Sequence, residues 1–97
     1  MKNYLDYTVN ILEELLNIPS PSGDTSKIIG IVKHHFADLG LKTKINAKNG
    51  LVVEVKGEIE DKVKVISAHV DTLGAMVKEI KSNGRLRIAQ IGGYSWH

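Results

Sequence analysis

In the stretch Ser67-Ala68-His69-Val70-Asp71-Thr72-Leu73-Gly74 a histidine and a carboxylate stand two residues apart. The residues before them, Val63 to Ala68, are rich in β-branched and apolar side chains, the composition of a strand buried on both faces. The pair would then sit at the carboxyl end of that strand, where ligands bind in α/β sheets. Side chains at i and i+2 of a strand share a face, so the His69 imidazole and the Asp71 carboxylate can address one point. Neutral imidazole is a common ligand of zinc and related ions, and it binds best when a carboxylate or carbonyl fixes its tautomer and ring orientation. Asp71 suits that orienting role, or action on a catalytic base. The spacing alone also suits an ordinary polar pair at a strand end.

The remaining candidates point elsewhere. His34 and His35 are neighbours within a helical pattern, diverge by roughly 100° around the axis, and read as surface or boundary residues. His97 is the last residue of the sequence, where fraying is expected. Ser20, Ser22 and Ser67 are conceivable nucleophiles, but none lies in a nucleophile-elbow pattern, which argues against a serine hydrolase. Gly23, Gly30, Gly40, Gly50 and Gly57 follow neither the Walker nor the dinucleotide-binding spacing, so phosphate cradling is not expected.

The elements that must position the pair are legible from periodicity. From Tyr4 to Asn17, Leu5, Val9, Leu12 and Leu16 recur at helical spacing, widened by Ile11 and Leu15, and predict an amphipathic helix. Ile18-Pro19-Ser20-Pro21-Ser22-Gly23 must end it, since neither proline continues a helix and each pushes its predecessor toward extended backbone. Asp24, Thr25 and Ser26 offer capping oxygens to a second helix carrying Ile28, Val32 and Phe36, which stops at Gly40. Two hairpins are expected beyond it. Lys42–Ala47 and Leu51–Lys56 flank Lys48-Asn49-Gly50, and Ala75–Ile80 and Leu86–Ile91 flank a second Asn-Gly at Asn83-Gly84. Two helices followed by strands indicate an α/β layer passing into a small β module.

Composition narrows the function classes. The 97 residues are 42% hydrophobic and 25% charged, the balance of one ordinary globular domain, with a modest share of surface to bury. The net charge is +2 and the lysines are scattered, with 5% aromatic residues, so a nucleic-acid role is disfavoured. The absence of cysteine excludes disulfides and thiolate metal sites and fits a cytoplasmic location. An acidic residue arrives early, at Asp6, and no apolar run follows, so neither a targeting peptide nor a membrane span is expected.

With these residues in view, Ala68-His69-Val70-Asp71-Thr72-Leu73-Gly74-Ala75-Met76-Val77 resembles the histidine-x-aspartate block of peptidase family M42. The opening helix running into Ile18-Pro19-Ser20-Pro21-Ser22-Gly23 resembles the family's start. Asn49-Gly50-Leu51 resembles the segment before its central strands, and Ile91-Gly92-Gly93 a later element. The resemblance covers essentially the whole chain and is carried by ordered matches. Thr72-Leu73 departs from it, because many members have an acidic residue directly after the motif aspartate; this suggests a subgroup with a different substrate preference.

The resemblance implies a metallo-aminopeptidase that removes N-terminal residues from peptides with two divalent ions, zinc or cobalt. By position His69 would be a metal ligand and Asp71 the catalytic carboxylate that orients the site. It also implies a fold: residues 1–72 would begin a zinc-peptidase-like α/β catalytic domain, two helices and then a mixed sheet. Residues 73–97 would open an inserted small β domain that supports homo-oligomers. The family's other ligands and its general base lie downstream of this sequence, so the isolated chain is expected to be inactive. Two other classes compete. One is a stand-alone binding or assembly module using exposed strand edges. The other is a glycoside hydrolase, which needs two carboxylates at a set separation and usually aromatic platforms, whereas Trp96 is the single tryptophan.

Overall fold

A computed structural model describes residues 3–59 and 61–95. Helix α1 spans Tyr4–Leu16. Asn3 caps it by accepting from the Asp6 amide, and at the other end the Asn17 side chain donates to the Glu13 carbonyl at 2.8 Å. The first of these satisfies a backbone amide that a helix leaves unpaired; the second adds to the bond that the Asn17 amide already makes to the same carbonyl. The expected stripe is only partly used. Ile11 and Leu15 turn toward the rest of the fold, whereas Leu5, Val9, Leu12 and Leu16 stay exposed, because nothing among the described residues packs on that side.

Helix α2 spans Ser26–Asp38. Its cap residue Thr25 makes no side-chain bond to its own helix. Instead the Asn49 side chain donates to Thr25 Oγ1 at 3.1 Å and ties the helix start to the following turn. The C-terminus closes as a Schellman motif: Gly40, at φ 75°, donates to the Ala37 carbonyl, and Leu41 donates to the Phe36 carbonyl. Positive φ is the reason glycine stands there. Ile28 and Ile29 of α2 meet Ile18 of the loop after α1, and Leu15, Val32, Leu51 and Val70 pack against this three-isoleucine core.

Both expected hairpins form, the first with strands two residues shorter than predicted and the second one residue longer at its start. β1 (Lys42–Ile45) pairs antiparallel with β2 (Leu51–Glu54), Ile45 opposite Leu51. Their turn is built on Asn46, whose side-chain oxygen accepts from the amides of Lys48 and Gly50, both at 2.9 Å. Asn49 takes positive φ in that turn, which asparagine tolerates. β3 (Gly74–Ile80) pairs antiparallel with β4 (Leu86–Ile91), and a bulge between Val77 and Glu79 leaves Lys78 over.

Two expectations are corrected. Val63–Ala68 is not a strand: no described residue pairs with it, and Val63, Val65 and Ile66 are among the most exposed apolar side chains. Its composition is that of a buried strand, but a strand exists only when a neighbour takes up its backbone groups. For the same reason the mixed sheet is absent among the described residues. The strands instead form two separate antiparallel pairs, and the parallel contact is one isolated bridge between Pro21 and Thr72.

The start of β3 forms a tight junction with the loop after α1. A Cβ built on Gly74 would lie 2.7 Å from Pro21 Cβ, and the Tyr94 hydroxyl donates to the Gly74 carbonyl at 2.7 Å. Because the proline ring cannot swing aside, Gly74→Ala is expected to destabilise by about 1–3 kcal/mol, the usual cost of overpacking, as a fall in the urea midpoint with unchanged slope. An unchanged midpoint would show that the junction yields freely.

Candidate metal centre

The loop that follows α1 does the work that the sequence assigned to a strand. Each proline disfavours helical backbone in the residue before it, so Ile18 and Ser20 extend and the loop runs beside residues 70–72 in parallel. The Thr72 amide donates to the Ser20 carbonyl at 2.8 Å, and the Ser20 hydroxyl, fully buried, donates to the Val70 carbonyl at 2.9 Å. Successive side chains of such an extended segment alternate. Val70 packs on the isoleucine core, while His69 and Asp71 on either side of it face outward.

His69 and Asp71 therefore meet, as their spacing predicted. The His69 Nδ1 atom lies 3.1 Å from Asp71 Oδ1 and 3.1 Å from the Asp71 carbonyl oxygen. The Ser22 hydroxyl donates to the other carboxylate oxygen, Oδ2, at 2.5 Å. This donated bond is the main cause that holds the Asp71 carboxyl below its ordinary value. Partial desolvation opposes it, and the backbone bond and His69 reinforce it. Asp71 is thus a carboxylate at neutral pH. Both oxygens facing Nδ1 can then only accept, so Nδ1 carries a proton, and in the neutral ring this leaves the lone pair on Nε2.

That tautomer suits metal ligation. The ring is 85% exposed and Asp71 40%, which leaves Nε2 open to an incoming ion. One imidazole with a carboxylate beside it could supply one ligand of a site. Among the described residues no group of three or more His, Asp or Glu side chains converges to complete it.

Ser22 is the site residue that the sequence did not assign. Its only signal was its place in the proline-rich loop, 49 positions from the carboxylate it binds. The order of contacts also excludes a serine triad, because the hydroxyl donates to the carboxylate and not to an imidazole that could take its proton. His34 faces Asp38 at 3.5 Å on the exposed side of α2. His35 reaches Glu14 at 2.7 Å and ties α2 to α1, a structural use of the boundary position expected for it. His97 and Trp96 lie outside the described residues. No helix of the described residues is long and apolar enough to cross a membrane.

The chain is similar to known proteins. A family model described as M42 glutamyl aminopeptidase matches residues 49–97, just over half of the chain, including His69 and Asp71. A Bacillus subtilis (strain 168) protein named "Putative aminopeptidase YhfE" is 41% identical over 90 residues, covering 93% of this chain and 26% of that protein. The glutamyl aminopeptidase of Lactococcus lactis subsp. cremoris (strain MG1363) is 26% identical over 85 residues, covering 87% of this chain and 24% of the relative. The chain thus spans about a quarter of the length of the curated relatives it matches. Matched by that model over just over half its length, the chain belongs to the M42 glutamyl aminopeptidase family.

Proposed function

We propose that this chain is the amino-terminal part of a metal-dependent aminopeptidase, in which His69 is a ligand to one of two divalent ions, zinc or cobalt. The observation that carries this reading is the contact between His69 Nδ1 and Asp71, which leaves Nε2 as the nitrogen with a free lone pair. When bound, a pair of such ions supplies Lewis acidity and lowers the pKa of water enough to make a nucleophile near neutral pH. The chain's own residues prepare for that chemistry without performing it. Asp71 holds the imidazole in one tautomer and offsets the positive charge that would gather on a metal-bound ring. The loop from Ile18 to Ser22 fixes the backbone on which both stand, with its two hydrogen bonds to Val70 and Thr72.

Peptides with a free N-terminal residue are the substrate class, as the names of the relatives suggest for those proteins. The second segment, β3 and β4, begins the inserted β domain through which the full-length protein assembles into homo-oligomers. The isolated 97-residue chain lacks most of the site and is expected to hydrolyse no aminoacyl substrate even with excess Zn²⁺ or Co²⁺. The full-length protein, by contrast, should hydrolyse such substrates and stop on chelation. Chelator-sensitive turnover by the isolated chain, lost in His69→Ala, would overturn the claim that the site needs residues beyond it. Full-length activity indifferent to chelation would overturn the metal reading itself.

A further inference from the structure

We propose that Ser22 is a positioning residue of the metal centre: by holding one oxygen of Asp71, it turns the other toward His69 and so, together with the Asp71 carbonyl, sets the tautomer and aim of the ligating ring. The inference rests on the aminopeptidase reading above and adds to it a residue of the loop after α1.

Asp71 is 40% exposed; its backbone bond and the contact of Oδ1 with one imidazole nitrogen at 3.1 Å leave the second oxygen, Oδ2, free to turn toward solvent. What restrains it is the bond from the Ser22 hydroxyl to Oδ2. Ser22 is itself held, because the Asp24 amide donates to the Pro21 carbonyl at 2.8 Å and closes the turn around it, while Pro21 bridges to Thr72. Restraint therefore passes from the loop backbone to Ser22, from Ser22 to Asp71, and from Asp71 to His69.

The two serines of the loop divide the labour. Ser20 is fully buried and its hydroxyl serves the Val70 backbone carbonyl, the bond that its burial demands. Ser22 is exposed, so water could satisfy its hydroxyl; no burial cost forces it onto a carboxylate. Its direction toward Asp71 is accounted for by what Asp71 does.

The test uses the full-length protein, ¹⁵N-labelled, with two readouts: the metal-free ring ¹⁵N shifts of His69, and Zn²⁺ affinity by chelator competition. Ser22→Ala is expected to lower the share of the Nδ1–H tautomer and to weaken Zn²⁺ binding by about 10-fold or more, the scale on which a partner behind a metal ligand acts. Ser22→Thr, which restores the hydroxyl, should recover affinity to within about threefold of wild type, well inside that scale. Ser22→Cys keeps the size but offers a weak donor, and should show the loss even if the alanine variant fails to fold. Unchanged shifts and affinity in Ser22→Ala or Ser22→Cys would overturn the inference, as would a threonine variant no better than alanine. If His69→Ala keeps the full Zn²⁺ affinity of wild type, the ligand assignment falls and this inference with it. Dependence on His69 without dependence on Ser22 removes the positioning role alone.

Discussion

Replacing His69 by alanine in the full-length protein is expected to remove tight binding of one metal equivalent and to cut peptide hydrolysis by more than ~100-fold. Changes to partners behind a ligand typically cost ~10–100-fold in metal affinity or activity, so loss of the ligand itself should exceed that range. A 100-fold fall corresponds to about 2.7 kcal/mol of lost transition-state stabilisation. Metal content measured on the dialysed variant separates this from misfolding, because the ring is 85% exposed and supports little packing. The variant should melt close to wild type in the metal-free state while holding about one ion fewer when loaded. A His69→Ala protein that keeps both its metal content and its rate would show that the ion is held elsewhere. Asp71→Asn is a milder companion. It keeps the size but can present an amide N–H₂ in place of an accepting oxygen, so it should disturb the tautomer of His69 without removing the ligand.

The second large effect is on stability. Ile28 is 1% exposed at the centre of a core with only Ile18 and Ile29 as its other buried apolar members among the described residues. Ile28→Ala should cost about 2–5 kcal/mol, the lost transfer energy of the removed carbons plus the cavity they leave. For a chain of this size each kcal/mol lowers the melting temperature by about 4–8 °C, so the drop should be easily seen by calorimetry. The effect should also reach the site. Val70, between His69 and Asp71, packs on this core, and Ile18, at the head of the loop that carries Ser20 and Ser22, belongs to it. Loosening the core should therefore weaken the metal binding proposed at His69. A stability loss below ~1 kcal/mol would mean that the site collapses around the smaller side chain and that the core is less well packed than the burial implies.

The gap between expectation and structure is clearest at Val63–Ala68. Those residues have the composition of a buried strand, yet their side chains are exposed and their backbone is unpaired among the described residues. Composition reports what environment a segment tolerates. Pairing depends on a second segment, and for this one the sequence carries no sign of which. The exposed stripe of α1 makes the same point: helical periodicity identified an apolar face at Leu5, Val9, Leu12 and Leu16, while the covering partner is a separate matter.

What the sequence determined by itself is local. The two helices follow from apolar spacing and from the Pro-rich and Gly stops. The two hairpins follow from β-prone runs around Asn-Gly, and the meeting of His69 with Asp71 follows from the two-residue period of extended backbone. Each of these depends on residues within one or two turns of each other. What only the tertiary structure decided is non-local. It placed Ser20 and Ser22 against Val70 and Asp71 across about fifty residues, set Asn49 on the cap of α2, and let Pro21 close on Gly74. No periodicity encodes such contacts. They arise because an extended Pro-containing loop and an extended histidine-x-aspartate segment, each with unpaired backbone groups, satisfy one another once the isoleucine core has brought them together.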